Sequence, residues 1–258
     1  MRATSPSGGG PRHLAARRRV ASGASVVAEL SAGIALLACA AVAGLLFVRR
    51  PWENRLDVFA YSVIPERLTW RGYLDLADLG STAVFAGSVA VLALISALRD
   101  LARAVACVVG PVAAVVVTER IAKPLVARHG VLGGDSYPSG TVTAVAAVAI
   151  VLVLVSPWLL RPFTALVGAA GVFAVSVAVI GLRWHFATDT VGGALVGTGA
   201  VLTVDSVAHL PGVLWRYAGG ARRLGPGSDS GSGVRDVPAG ASHDDRGSGP
   251  LARVPSQA

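Results

Sequence analysis

Charged residues are sparse along this chain, and the gaps between them set its pattern. No charge interrupts 30–48, and further uncharged stretches cover 79–98, 104–118, 136–160, 162–182 and 190–204. A helix crossing the hydrocarbon core of a bilayer needs about 20 apolar residues, within a range of about 17–25. Four of the six stretches reach that length as they stand. The other two, 104–118 and 190–204, are extended if Arg103 and Glu119 reach toward the interfaces, and if the apolar sequence from beyond Asp205 to Leu210 continues the last one. The pattern predicts an all-α, multi-pass membrane helical bundle of about six transmembrane helices.

Composition agrees. Of the 258 residues 53% are hydrophobic and 15% charged, and the mean hydropathy is +0.62. A soluble domain carries about 25% charged residues, which argues against an ordinary cytosolic enzyme. The net charge of +8 is concentrated in the tails and between apolar blocks. That placement suits a membrane surface, and no nucleic-acid partner is expected. Cys39 and Cys107 lie in apolar runs, where a lone cysteine behaves as a small hydrophobe. Gly193-x3-Gly197 and the many alanines suit close helix packing in lipid. The first apolar run is long enough to span and is followed by no clear cleavage site, so a cleaved signal peptide is not expected.

Four regions follow. Residues 1–28 form a basic, acid-free tail expected to be disordered; 29–78 hold the first span and an outer segment suited to one or two interfacial helices. Residues 79–210 form the core of the bundle. From Tyr217 the composition turns to Gly, Ser, Pro, Arg and Asp, and 217–258 is expected to be disordered. Arg17, Arg18 and Arg19 place the N-terminus in the cytoplasm by the excess of basic residues on that side. With six spans the C-terminus lies there too, and 49–78, 119–138 and 183–189 all face outward.

Most of the polar residues that could do chemistry fall on that outer face, in three places. Arg120 to His129 contains Lys123 and Arg128; Ser136-Tyr-Pro-Ser139-Gly140-Thr141 leads into the fourth span; Leu182 to Gly193 contains Arg183, His185, Thr188 and Asp189. Two basic clusters, a Ser-Gly helix start and a His/Asp pair suggest an anion site, with phosphate the natural ligand. His185 and Asp189 are four apart and share one face of a helix. If Asp189 accepts the Nδ1 proton, the other ring nitrogen is free as nucleophile or base. Alternatively, Asp189 or Thr188 only caps the sixth span. Ser139 and Gly140 open a helix whose free N–H groups and dipole bind anions, although Pro-Ser-Gly is also an ordinary helix start. Lys123, Arg128 and Arg183 would clamp phosphate oxygens, or, taken singly, anchor the chain at the interface.

Together these pieces resemble the type 2 phosphatidic acid phosphatase (PAP2) superfamily, whose pattern is K-x6-R-P, then P-S-G-H, then S-R-x5-H-x3-D. The resemblance covers about residues 79–210 and is most specific at Tyr137-Pro138-Ser139-Gly140 and at His185-x3-Asp189-x2-Gly192-Gly193. It implies a phosphohydrolase that needs no metal and no cofactor. In it His185 attacks phosphorus to give a phosphohistidine and Asp189 orients it. Lys123, Ser139 and the Gly140 backbone hold the phosphoryl oxygens, and the substrate is a lipid phosphate or diphosphate.

Three positions depart from the family pattern. Thr141 stands where P-S-G-H has its histidine, Gly130 and Val131 stand for R-P, and Ala178 and Val179 stand for S-R. Arg128 and Arg183 would supply the missing charges from shifted positions. The missing histidine protonates the leaving group in the family, and losing a general acid costs about 10²–10⁴-fold in rate. A departing phosphate needs that proton much less than an alkoxide, so lipid diphosphates are the expected better substrates, unless His129 serves as a relocated acid. The same substitutions motivate a second reading, a non-catalytic relative that binds phospholipid or a membrane partner. A transporter is disfavoured, because the charges cluster at the ends of the spans.

Overall fold

The computed structural model describes residues 23–46, 48, 54–64, 70–130 and 133–223. The chain falls into two units, Met1–Ala218 and Gly219–Ala258, and the helical bundle and the site belong to the first. The tails expected to be disordered lie largely outside the described residues. Helix nevertheless begins at Gly23 and continues to Arg223, inside both expected tails.

The elements are α1 (Gly23–Leu46), α2 (Arg55–Val63), α3 (Trp70–Ala77), a 3₁₀ turn (Asp78–Gly80), α4 (Thr82–Ala97) and α5 (Leu101–Val116). A π-helical turn (Val117–Ala122), α6 (Lys123–Val126), α7 (Gly140–Val155), α8 (Arg161–Gly181) and α9 (Ala187–Arg223) complete them. The protein is all-α and multi-pass. Five helical runs are long and apolar enough to cross a membrane: Ser25–Leu46, Trp70–Ala97, Leu101–Val126, Arg161–Gly181 and Ala187–Gly212. The sixth, α7, has 16 residues and is about 24 Å long at 1.5 Å per residue.

The order of lengths reverses the sequence expectation. The stretch 136–160 is one of the longest without charge, yet it gives the shortest of the six helical runs; 104–118 joins a run of 26 residues. Charge spacing does not register helix punctuation. Ser139 caps α7 by accepting from the Val142 N–H, and Ser156 leaves the helix in an extended conformation, as the residue before Pro157 must. Between 49 and 78 two short helices form, α2 behind an Asn54 cap that accepts from the Leu56 N–H at 3.0 Å, and α3.

Short as it is, α7 lies at the centre. Val142 packs with Tyr73, Ala77, Val175, Ala178, Val179 and Leu182 of α3 and α8. Ala147 and Val151 pack with Leu92, Cys107, Ala114, Ala200 and Val201 of α4, α5 and α9. Glycines set the spacing to α9. A Cβ on Gly193 would lie 2.6 Å from the Ser139 carbonyl, and one on Gly197 2.5 Å from the Thr143 carbonyl. The small-residue pair thus marks a backbone-to-backbone crossing. On another face α9 meets α1, where a Cβ on Gly33 would lie 2.9 Å from the Gly199 carbonyl.

Candidate functional site

The turn between α8 and α9 carries the histidine. It is held by N–H bonds from Arg183 to Ile180 (2.9 Å) and from Trp184 and His185 to Val179 (3.0 and 3.3 Å). The first helical residue of α9 is Ala187, so His185 stands before the helix, and the shared-face argument for the pair does not apply. The turn brings the two residues together instead, with His185 Nδ1 3.7 Å from Asp189 Oδ2. That distance is too long for a hydrogen bond, and His185 Nδ1 is a buried atom without a hydrogen-bond partner.

Asp189 is fixed from three directions. Its Oδ2 accepts from the Phe186 N–H at 2.9 Å, so it reaches back from the first turn of α9 to cap its start, as the acid of a capping box does. Its carbonyl accepts from the Ser139 N–H at 2.9 Å. Its Oδ1 receives Arg128. The carboxylate that caps α9 is therefore also the one that stands nearest His185 Nδ1.

Arg128, expected to clamp phosphate, has other partners. Its side chain is 0% exposed. One guanidinium nitrogen donates to Asp189 Oδ1 and to Thr188 Oγ1 (2.6 Å). The other donates to Asp57 Oδ2 at 2.6 Å, and the group stacks 4.3 Å over the Phe186 ring. Asp57, on α2, is 1% exposed and also accepts from the Thr188 N–H at 2.9 Å. Arg183 is likewise engaged. Its guanidinium lies 4.4 Å over the Tyr61 ring and 3.5 Å from the Tyr61 carbonyl, contacts that offset a backbone at φ +62°, which costs a non-glycine residue about 1–3 kcal/mol. Tyr61 donates in turn to the His185 carbonyl at 3.2 Å. Burial pushes the Tyr61 hydroxyl up to about 12, so it remains a donor at ordinary pH.

A second cluster lies at the start of α7. Lys123 Nζ donates to both oxygens of Glu119, at 2.7 and 2.9 Å. A Cβ on Gly140 would run into the Glu119 carboxylate and lie 3.8 Å from Lys123 Nζ. Glycine is what lets these two side chains approach the helix start. The π-helical turn carries Glu119, and its Thr118 meets Thr143 of α7 at 3.1 Å. Ser139 joins the clusters, since it caps α7 and donates to Asp189. The other two candidates are placed differently. The Thr141 methyl packs where a Cβ on Gly80 would sit, and His129 is exposed, its backbone bridged to Asp135.

Beside the histidine turn opens an apolar cavity of about 830 Å³ between α2, α7, α8 and α9. Phe59, Val63, Ile150, Val172, Phe173 and Val191 line it, and it extends to Ala187 and Thr190, on either side of Thr188 and Asp189. Among the described residues no group of three or more His, Cys, Asp or Glu side chains is arranged to hold a metal ion.

Lys123, Arg128, Ser139, Gly140, Arg183, His185 and Asp189 thus gather at one end of the bundle in two joined clusters. Three contributors escape a reading of the sequence. Glu119 carries a legible signal, standing four residues before Lys123. Asp57 and Tyr61 carry none, because their partners lie 71 to 131 residues away. No protein-family model, curated protein or solved structure matches the chain.

Proposed function

We propose that this protein is a membrane-embedded phosphatase that hydrolyses a lipid phosphate or diphosphate, polyprenyl or glycerophospholipid, through a phosphohistidine on His185. The observation that carries the reading is the His185–Asp189 pair. Its carboxylate is locked by Arg128 and the Phe186 N–H, next to a helix start with a lysine and an apolar cavity. From 3.7 Å a small shift of the ring would complete the hydrogen bond, and catalytic hydrogen bonds often tighten only in the complex with substrate.

In this mechanism His185 Nε2 attacks phosphorus while Asp189 Oδ2 takes up the Nδ1 proton as a hydrogen bond. The P–O bond to the leaving group breaks. Lys123 and the N–H groups opening α7 stabilise the charge on the equatorial oxygens, the main resource in phosphoryl transfer. Water then attacks phosphorus, the P–N bond breaks, and phosphate leaves. The lipid chain lies in the cavity, whose volume is within the range of about 300–1,000 Å³ common to ligand pockets. By this reading the site resembles that of the PAP2 superfamily, faces outward, and has both termini in the cytoplasm. With Thr141 packed at Gly80, a diphosphate remains the better expected substrate.

A specific observation favours a second reading, a non-catalytic relative that binds phospholipid or a membrane partner: Lys123, Arg128 and Arg183 all have internal partners. Phosphate release decides between the two. The purified protein in detergent with EDTA is offered a polyprenyl diphosphate and phosphatidic acid, beside His185→Ala and Asp189→Asn. Release is expected in EDTA, faster from the diphosphate, absent in His185→Ala and lowered about 10²-fold in Asp189→Asn, as for loss of a positioned acid–base group. No release from either lipid would leave the binding reading.

A further inference from the structure

Helix α2 has two working faces. Leu56, Phe59, Ala60 and Val63, at the i, i+3, i+4, i+7 spacing of one helix stripe, line the apolar cavity. Asp57 and Tyr61, one position further round and again four apart, face the histidine turn. Asp57 bonds Arg128 and the Thr188 N–H, and Tyr61 bonds the His185 carbonyl. One nine-residue helix thus touches both the cavity and the catalytic pair.

We infer that α2 couples the lipid chain to the headgroup site, with Asp57 and Tyr61 as positioning residues for the His185–Asp189 pair. The inference rests on the phosphatase reading. An isolated helix of nine residues is marginal in water, so its seat is set by what it packs against. On the cavity side Leu56, Phe59 and Val63 are 51%, 62% and 55% exposed, surface that a hydrocarbon chain would cover. Covering it holds α2 down on Arg128, and Arg128 holds Asp189 Oδ1 while Oδ2 faces the histidine. Binding energy from the chain, remote from phosphorus, is spent on the geometry of the reacting groups. A truncated substrate then loses kcat and not only affinity.

Two substrates with the same allylic diphosphate and different chains test this: farnesyl diphosphate and dimethylallyl diphosphate, with kcat and KM measured separately for each. In the wild type kcat is expected to be at least about tenfold higher for farnesyl diphosphate, or about 1.4 kcal/mol. Phe59→Ala removes exposed packing without touching the buried pair, and Asp57→Asn removes the charge that holds Arg128. In both, the ratio of the two kcat values falls toward one. Equal wild-type kcat values with a difference only in KM would overturn the coupling, as would a ratio unchanged in both variants. Hydrolysis of neither diphosphate overturns this inference, and if phosphatidic acid is not hydrolysed either, or activity survives His185→Ala, the phosphatase reading falls with it.

Discussion

Arg128 faces two carboxylates, Asp57 and Asp189, with all three side chains at most 1% exposed, so the cluster keeps one negative charge to spare. Burying unbalanced charge is costly, and the adjacent group able to offset it is His185 when positive. Under the proposed phosphatase function, attack on phosphorus would make the ring positive, and the spare charge would stabilise that state. Glu119 works in the opposite sense. Its carboxylate occupies the approach to Gly140 that a phosphate would use and holds Lys123 at 2.7 Å. An exposed pair of this kind is worth little, about 0–1 kcal/mol, but an anion entering beside it meets a like charge. Glu119→Gln is therefore expected to tighten inhibition by inorganic phosphate about three- to tenfold. An unchanged inhibition constant would show that Glu119 stays clear of the anion.

At the scale of elements, α7 and α9 decide whether the site exists. Ser139 at the start of α7 donates to Asp189 in the first turn of α9, and the two helices touch through Gly193 and Gly197. Any Cβ at 197 falls 2.5 Å from the Thr143 carbonyl, so backbone must move. Gly197→Val is expected to cost about 1–3 kcal/mol, the usual range for overpacking. It should lower the thermal midpoint in detergent and slow phosphate release together. Tyr137 ties in α1, donating to the Ala40 carbonyl at 2.6 Å with its ring against Gly44 and Gly192. Much of this architecture was legible: six apolar segments point to an all-α bundle, and the glycine pair to close packing within it. The brevity of α7 is written in its flanking Pro138 and Pro157, which bound a helix where charge spacing does not.

Across the described helical bundle, buried polar side chains collect in two places. Opposite the candidate site, Arg103 Nε lies 3.6 Å from Asp205 Oδ1, and Arg103 donates to the Leu154 carbonyl at 3.2 Å. His209 sits 3.5 Å from Asp205 and 3.7 Å from Asp100. These contacts join α5, α7 and α9 where the sequence alone suggested an interfacial arginine and an apolar extension past an acid. Removing one partner of a buried pair costs about 3–5 kcal/mol. With Arg103 29% exposed, Asp205→Ala is expected to cost about 2–3 kcal/mol, read as a lower thermal midpoint in detergent. A midpoint unchanged from the wild type would mean that this end is held by packing alone.

The sequence by itself determined the class of the molecule, the number of its apolar segments and which chemistry-bearing residues could share an end. Each of these follows from local spacing: the length of an uncharged run, the alternation of loops, a histidine four residues before an aspartate. Only the tertiary structure decided what the charges do. Arg128 turned from a clamp for substrate into the link between two aspartates, and Arg183 into a stacked partner of Tyr61. Asp57 entered the site from a helix the motifs do not include. Charge pairing across 61 to 71 residues has no periodicity to read. It depends on how far each helix end projects and how closely glycine lets neighbours approach, and both are set by packing.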